Sequence, residues 1–478
     1  MDTQRRRWAA LGVIALAQFV VIMDTSIIGV ALPQMAADLG FSASGLQWVF
    51  NAYVVAFAGL LLLGGRLSDL FGARRVFAAG WGLLLAGSVV SAVATGAGVE
   101  LAGRAVQGAG SALIAPAALT LLMTLFGGTP ALPRALALYG AAAPAGGTAG
   151  VFLGGVITEW LSWPWIFWLY VPITVAALTV TPALMPNVPG RRGGVDVLGA
   201  ATVTGGLALA VLGVVRAPEV GWSSGTTLGT LAGAVLLLVA FVGIQARLRT
   251  PLVRLGIFRT PLLGTANLAQ LLLGAAWVPM WFFLNLYLQQ VLGYGAFASG
   301  AALLPMTVLI MVLMVGVAPR LIARFGTKPL IVGGLLALAA GLVWLAQARA
   351  TGNFVVDVLP ASLVAALGQA LAFIPSLGTA LSAARPEEGG LAAGIVNTSY
   401  QVGSALGLAA MTAVAASYGA TAVGDPVQLT AGYAAAFYGA AGIAVAGAGL
   451  LAVTFRPRPH AALSPGVDTA QSEPAPVR

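Results

Sequence analysis

The chain has 478 residues, of which 59% are hydrophobic and only 8% charged, against the roughly 45–50% apolar content of a soluble domain. That excludes an ordinary soluble enzyme or nucleic-acid-binding domain, so the net charge of +9 reports membrane topology rather than a nucleic-acid partner. Cysteine is absent and the single histidine, His460, lies in the tail, which excludes disulfides, thiolate metal sites and an intramembrane histidine relay.

Apolar runs of about 20 residues, each able to cross a hydrocarbon layer roughly 30 Å thick as a helix, recur along the chain. MDTQRRRW followed by an apolar stretch imitates a signal peptide. The stretch runs on from Trp8 to Pro33 and contains an acid, so it reads as a retained first span. Cutting at charge clusters and Pro/Gly/Asn/Asp turns predicts helices near 8–33, 47–65, 76–96, 100–126, 134–159, 164–185, 196–216 and 226–247. Six more are predicted near 262–291, 299–319, 329–347, 356–381, 391–418 and 432–455. The tail from Arg456 is rich in Pro, Ala and Ser without a helical period, and disorder is expected there.

With the N-terminus inside, these cuts put almost every Arg and Lys on the cytoplasmic side and leave Arg216 and Arg349 outside. The outer loops and helix ends collect Asp38, Glu100, Glu159, Glu219, Asp357 and Asp425. A missed or surplus span would scramble that alternation, so both termini are expected in the cytoplasm.

Sliding the chain by about 254 residues lays RLSDLFGARRV (66–76) over RLIARFGTKPL (320–330), and roughly aligns LGFSASG (39–45) with LGYGAFASG (292–300). The division expected is a cytoplasmic N-terminus (1–7), a six-helix bundle (8–186), an inserted helix pair with flanking loops (187–260), a second six-helix bundle (261–455) and the tail (456–478). Two similar halves rocking around a midplane site are a transporter's device; an enzyme or anchor has no need of them. The fold class is thus an all-α polytopic membrane protein.

Several segments, GGRLSDLFGARR (64–75), MDTSIIGVALP (23–33), LAGRAVQGAG (101–110), LQWVFNAY (46–53), PLVRLGIFR (251–259) and EEGGLAAGIVNTSYQVGSALG (387–407), together resemble the major facilitator superfamily and, within it, the fourteen-helix drug:proton antiporter family. The resemblance implies a major-facilitator-type fold and proton-coupled export of small amphipathic drugs or antibiotics, cationic ones among them. It also implies alternating access driven by the proton gradient, with no cofactor. A departure from the family pattern is Val151 after Gly150, where the family has a Gly-Pro export signature. Others are Trp163-Pro164-Trp165 in place of a Trp-Arg-Trp run and Tyr170 in place of an Asn.

Asp24 is the one acid deep within a predicted span and Arg104 the one base. Counted at the helical rise, they lie about 13 Å and about 7 Å below the outer face, within reach of each other. An ionised acid there costs roughly 2.5–3.5 kcal/mol unless it faces a cavity or a partner, which makes Asp24 the candidate coupling residue; the alternatives are a structural acid and a fixed ion pair between helices 1 and 4. The resemblance implies that Arg104 assists proton transfer. It further implies that the surface loop with Gly65, Arg66, Asp69, Gly72, Arg74 and Arg75 is a latch, Asp69 pairing with arginines and with the start of helix 13. A helix N-terminus favours a carboxylate physically; plain positive-inside anchoring is the alternative for the arginines.

Gly146, Gly150 and Gly154 share one face of helix 5, suited to a sliding contact or to ordinary close packing. Candidates for the substrate pocket are Asn51, Tyr53, Gln107, Asn267, Gln270, Trp277, Asn285, Tyr287, Gln369, Asn397, Tyr400 and Gln401; interfacial anchoring and interhelical hydrogen bonding compete with that role. The expected partners are a small-molecule substrate, protons and the bilayer, with no nucleic acid and the chain acting as a monomer. A Gly/Ala/Arg-rich, lysine-poor composition suggests a high-GC bacterium, and the expected location is its inner (cytoplasmic) membrane. A narrow metabolite exporter, an uptake symporter and a transporter-like sensor remain alternatives. An intramembrane enzyme would need a nucleophile–base pair or metal ligands that the spans do not offer.

Overall fold

The computed structural model describes residues 3–41, 43–187, 189–190, 196–248, 251, 253, 255–256, 262–384, 389–420 and 424–455. The expected disordered tail, most of the loops flanking the inserted pair and Glu387–Glu388 lie outside these residues.

Six helices come first: α1 (Thr3–Leu39), α2 (Ala43–Phe71), α3 (Ala73–Ala92), α4 (Ala97–Phe126), α5 (Leu132–Trp160) and α6 (Pro164–Leu184). The pair α7 (Val197–Val220) and α8 (Gly225–Arg247) follows. Next is α9 (Leu263–Leu286, extended by a π-helical turn at Tyr287–Val291), and then α10 (Ala296–Val312, a π-helical turn at Leu313–Val317, and Ala318–Phe325). The chain ends in α11 (Thr327–Leu345), α12 (a π-helical turn at Phe354–Val358, then Leu359–Ala383), α13 (Gly389–Ser417) and α14 (Pro426–Thr454). Proline opens α6 and α14, where its missing N–H is not needed. Asp425 caps α14: the N–H and side-chain amide of Gln428 and the N–H of Val427 donate to its carboxylate and hold it below its ordinary range.

Among the described residues, twelve helices are long and apolar enough to cross a membrane, where the sequence predicted fourteen spans. The two that fall short do so for identifiable reasons. The described part of α7 counts only as the shorter apolar stretch Leu198–Val214. α13 is uncharged and 29 residues long, but Asn397, Thr398, Ser399, Tyr400, Gln401 and Ser404 dilute its apolarity, and several of these face an internal cavity rather than lipid.

The repeat read in the sequence recurs in the packing. In the first half α1 packs on α5, α3 on α4 and on α6; in the second α9 packs on α13, and α11 on α12 and on α14. Glycines fix these contacts at matching places. A Cβ on Gly87 of α3 would lie 2.7 Å from the Gln107 backbone N, and one on Gly341 of α11, 254 positions later, 2.5 Å from that of Ala365. The turns match too: Gly72 (φ 89°) separates α2 from α3 and Gly326 (φ 78°) separates α10 from α11, a left-handed conformation that glycine adopts without cost. The inserted α7 lies on α2, with Gly59 against Thr204, and α8 packs on α7.

The close glycine contacts make a local prediction. Gly341→Val forces backbone apart and is expected to lower stability by about 1–3 kcal/mol. Gly333→Val, where an added Cβ meets nothing within 4 Å, is expected to stay within about 0.5 kcal/mol of wild type. Thermal melting of the two purified variants in one detergent decides it; equal melting points would reject the packing argument.

Candidate functional site

Between the halves lies a cavity of about 270 Å³, walled by α1, α2, α4 and α5 on one side and α9, α10, α12 and α13 on the other. Among the described residues, its lining holds no charged side chain. The polar groups are amides and hydroxyls, and the remainder is aromatic or aliphatic, a lining suited to an amphipathic ligand. Of the twelve pocket candidates, Gln270, Trp277, Gln369, Asn397, Tyr400 and Gln401 line it. Phe373 meets Tyr400 edge-on (ring centroids 5.7 Å apart) and Trp277 lies 6.3 Å from Trp281. The Gln270 amide donates to Ser376 Oγ (3.0 Å), whereas Gln369 Oε1 accepts no hydrogen bond from the described residues and so is open to a ligand's donor.

The other six candidates do not line the cavity, because the phase of each helix turns them elsewhere. Tyr53 and Gln107 belong to the surroundings of Arg104, and Asn51 is buried in α2 off the lining. Asn267 bonds the Leu263 carbonyl and accepts from Ser399. Asn285 accepts from Ser299 and Gln289, and Tyr287 donates to the Arg349 carbonyl (2.7 Å), both beyond the cavity. The residues the sequence reading missed include Gln18, Tyr139, Trp281 and Phe373; the Tyr139 hydroxyl donates to Gln18 Oε1 (2.7 Å).

Behind the α1 wall, on the face turned from the cavity, Asp24 and Arg104 meet directly: Arg104 Nη1 lies 2.8 Å from Asp24 Oδ1, and both side chains are fully buried. Arg104 Nη1 also donates to Gln107 Oε1 (2.8 Å) and Nε to the Val49 carbonyl (3.0 Å). Gln107 in turn donates to Ser88 Oγ (2.9 Å). The guanidinium stacks over the Tyr53 ring at 4.8 Å, and the Tyr53 hydroxyl bonds Ser111 and the Val21 carbonyl. Tyr170, the departure on α6, is buried with its hydroxyl electrostatically coupled to Asp24. Asp24 is not alone in being a buried acid: Glu100, expected at the outer helix end, is also fully buried. It sits in the first turn of α4, which starts three residues earlier than predicted.

Two of the contacts between the halves involve residues singled out in the sequence. At the end carrying the α2–α3 turn, the N–H groups of Gly390 and Leu391, which open α13, donate to Asp69 Oδ1 (2.9 Å) and Oδ2 (3.0 Å). Gly65 lies flush against Gly390, where a Cβ would come 2.5 Å from its carbonyl oxygen. Gly72 makes the turn; Arg74 reaches the Pro182 carbonyl of α6 (3.4 Å), Arg66 is half-buried and Arg75 exposed. Elsewhere α5 meets α10 through Thr148 on Thr307, Phe152 on Phe297 (5.0 Å) and Val151 beside Gly300. Gly146 and Gly150 face not α10 but α1, where a Cβ would lie 2.3 Å from the Phe19 carbonyl and 2.8 Å from the Met23 carbonyl; Gly154 is buried on the same helix. Trp163 Nε1 donates to Asp38 (2.8 Å), tying the start of α6 to the end of α1.

Similarity to known proteins follows the same lines. The chain is 39% identical to the cephamycin export protein CmcT of Amycolatopsis lactamdurans, over 90% of this chain and 89% of that one. It is 38% identical to the puromycin resistance protein pur8 of Streptomyces alboniger, over 87% and 83%. Among solved structures it resembles the proton:xylose symporter XylE (TM-score 0.66, 15% identity, covering 94% of this chain and 96% of that one). The human organic anion transporter MFSD10 is similar to the same degree (TM-score 0.64, 17% identity, 94% and 100%), and at these identities the likeness is one of fold. The profile of the Major Facilitator Superfamily matches residues 14–408, and the chain belongs to that superfamily of multi-pass membrane transporters for small molecules.

Proposed function

We propose that the protein is a proton-coupled exporter of small amphipathic drugs or antibiotics, working by alternating access in a bacterial cytoplasmic membrane. The observation that carries the reading is the buried Asp24–Arg104 pair, one side chain deep behind the wall of a central uncharged cavity. A carboxylate that exchanges a proton there alters the charge of α1 beside the substrate without touching the substrate. The names of the two relatives, an export protein and a resistance protein, support the efflux direction. In this reading fourteen helices span the bilayer, α7 and α13 included, both termini are cytoplasmic, and the chain works as a monomer without a cofactor. The latch at Asp69 holds the cytoplasmic end closed.

The test is efflux of dyes and antibiotics in inverted vesicles under an imposed proton gradient. Asp24→Asn is expected to lose roughly a hundredfold of gradient-driven transport while still exchanging substrate at equal pH. Gradient-driven transport equal to wild type would remove Asp24 from the coupling role. Protein-dependent accumulation in whole cells would reverse the direction assigned.

A further inference from the structure

Among the described residues of the first half, three acidic or basic side chains are fully buried: Asp24, Arg104 and Glu100. The pair accounts for two of them. Glu100 stands one helical turn from Arg104 on the same face of α4, electrostatically coupled to Arg104 first and to Asp24 beyond it. The polar group facing it from α3 is the Ser91 hydroxyl. Among the described residues, both Glu100 carboxyl oxygens, Asp24 Oδ2, Arg104 Nη2 and the Ser91 and Tyr170 hydroxyls are buried without a close hydrogen-bond partner. These donors and acceptors belong to neighbouring groups of one cluster, and Arg104 Nη2 is the one donor among them that carries charge.

Charge counting gives the cluster its chemistry. One guanidinium offsets one carboxylate, and a second ionised carboxyl in the same dry site would be uncompensated, at a cost far above that of the pair. Among the described residues, the other titratable groups facing the cluster are the tyrosines Tyr53 on α2 and Tyr170 on α6, which bring no compensating positive charge. The two carboxyls thus share one proton, and Arg104 pairs with whichever is ionised.

Building on the reading of Asp24 as the coupling acid, we propose that Glu100 is a second proton-carrying group of the cycle and the alternate counter-ion of Arg104. When Asp24 takes up the proton, Glu100 gives one up, and Arg104 moves from Asp24 to the Glu100 carboxylate. One O–H bond breaks on Glu100 and one forms on Asp24; Arg104 keeps all its protons, and the cluster stays neutral. Asp24 is then protonated without leaving a bare buried arginine. Glu100 lies between Asp24 and the end of the molecule opposite the latch, so a proton arriving from that end meets it first. The competing role, an acid that merely complements the start of α4, leaves protonation at Asp24 and Glu100 independent.

Infrared difference spectroscopy on the full chain in lipid, reading the carbonyl stretch of protonated carboxyls, tests this without any transport assay. Wild type is expected to show a band that Glu100→Gln removes. Asp24→Asn is expected to remove the same band, because Glu100 must then ionise to pair with Arg104. A Glu100 band that survives in Asp24→Asn, or no difference between wild type and Glu100→Gln, overturns the proposal. In gradient-driven vesicles Glu100→Gln is expected to slow export about tenfold and shift its pH profile, with melting temperature preserved and Glu100→Asp restoring much of the rate. An unchanged rate and pH profile in Glu100→Gln also overturns it. If Asp24→Asn itself exports like wild type, the coupling reading has failed instead, and the infrared comparison still decides the Glu100 proton alone.

Discussion

Arg104→Met is expected to destabilise the protein by about 3–5 kcal/mol, the cost of stranding one partner of a buried ion pair, and to abolish gradient-driven transport. Arg104 is fully buried and is held by the Asp24 carboxylate, the Gln107 side chain and the Val49 carbonyl. Methionine fills the volume and satisfies none of these. Asp24 and the Gln107 oxygen are left facing an apolar side chain, and the Ser88–Gln107 link that joins α3 to α4 loses its anchor. Arg104→Lys is expected to recover part of the stability, since an ammonium keeps the charge but lacks the planar fork that serves three acceptors. The double variant Asp24→Asn/Arg104→Met should cost less than the sum of the two single changes, as contacting residues do. Denaturation in detergent with a double-mutant cycle measures all four proteins. Strict additivity, or an Arg104→Met loss below about 1 kcal/mol, would mean that the pair is not a unit.

How much of this was readable in the chain depended on how lonely each signal was. Asp24 and Arg104 stood out because each is a single charge in a long apolar run, and position along two helices was enough to bring them together. The burial of Glu100 went unread for the opposite reason. It lies near a helix boundary, the least certain feature of a sequence reading, and with α4 starting three residues earlier the helix-end acid is enclosed in the first turn. The 254-residue repeat was legible because a turn needing a left-handed glycine recurs at Gly72 and Gly326. The cavity was half legible. Helices apolar on every side give no hydrophobic stripe to say which face points inward, so Gln270 and Asn267, three residues apart on α9, looked alike, and only Gln270 lines the cavity. Gln18 and Tyr139 escaped notice because their mutual hydrogen bond joins helices whose relative rotation the sequence does not contain.

Asp69→Asn is expected to shift the balance between closed and parted halves at the latch end by roughly 10- to 100-fold toward the parted state. The carboxylate spans the halves by accepting from two successive N–H groups, Gly390 and Leu391, at the positive end of α13. Hydrogen bonds to a charged group contribute about 1.5–3 kcal/mol, and asparagine forfeits the charge while presenting an NH₂ to one of the two donors. The glycines are part of the same device. A Cβ on Gly390 would come 2.3 Å from Asp69 Oδ1 and 2.6 Å from the Gly65 carbonyl, so Gly390→Ala should part the halves even with Asp69 intact. Because the chain has no cysteine, a pair of spin labels at introduced cysteines near the end of α2 and the start of α13 reports without background. Pulsed distance measurements in lipid should show the short-distance population of wild type giving way to a longer one in both variants. Transport should slow in both, since a cycle that opens at one end must close again at the other. Distance distributions that match wild type would assign the closure of this end to other contacts of α2 with α13.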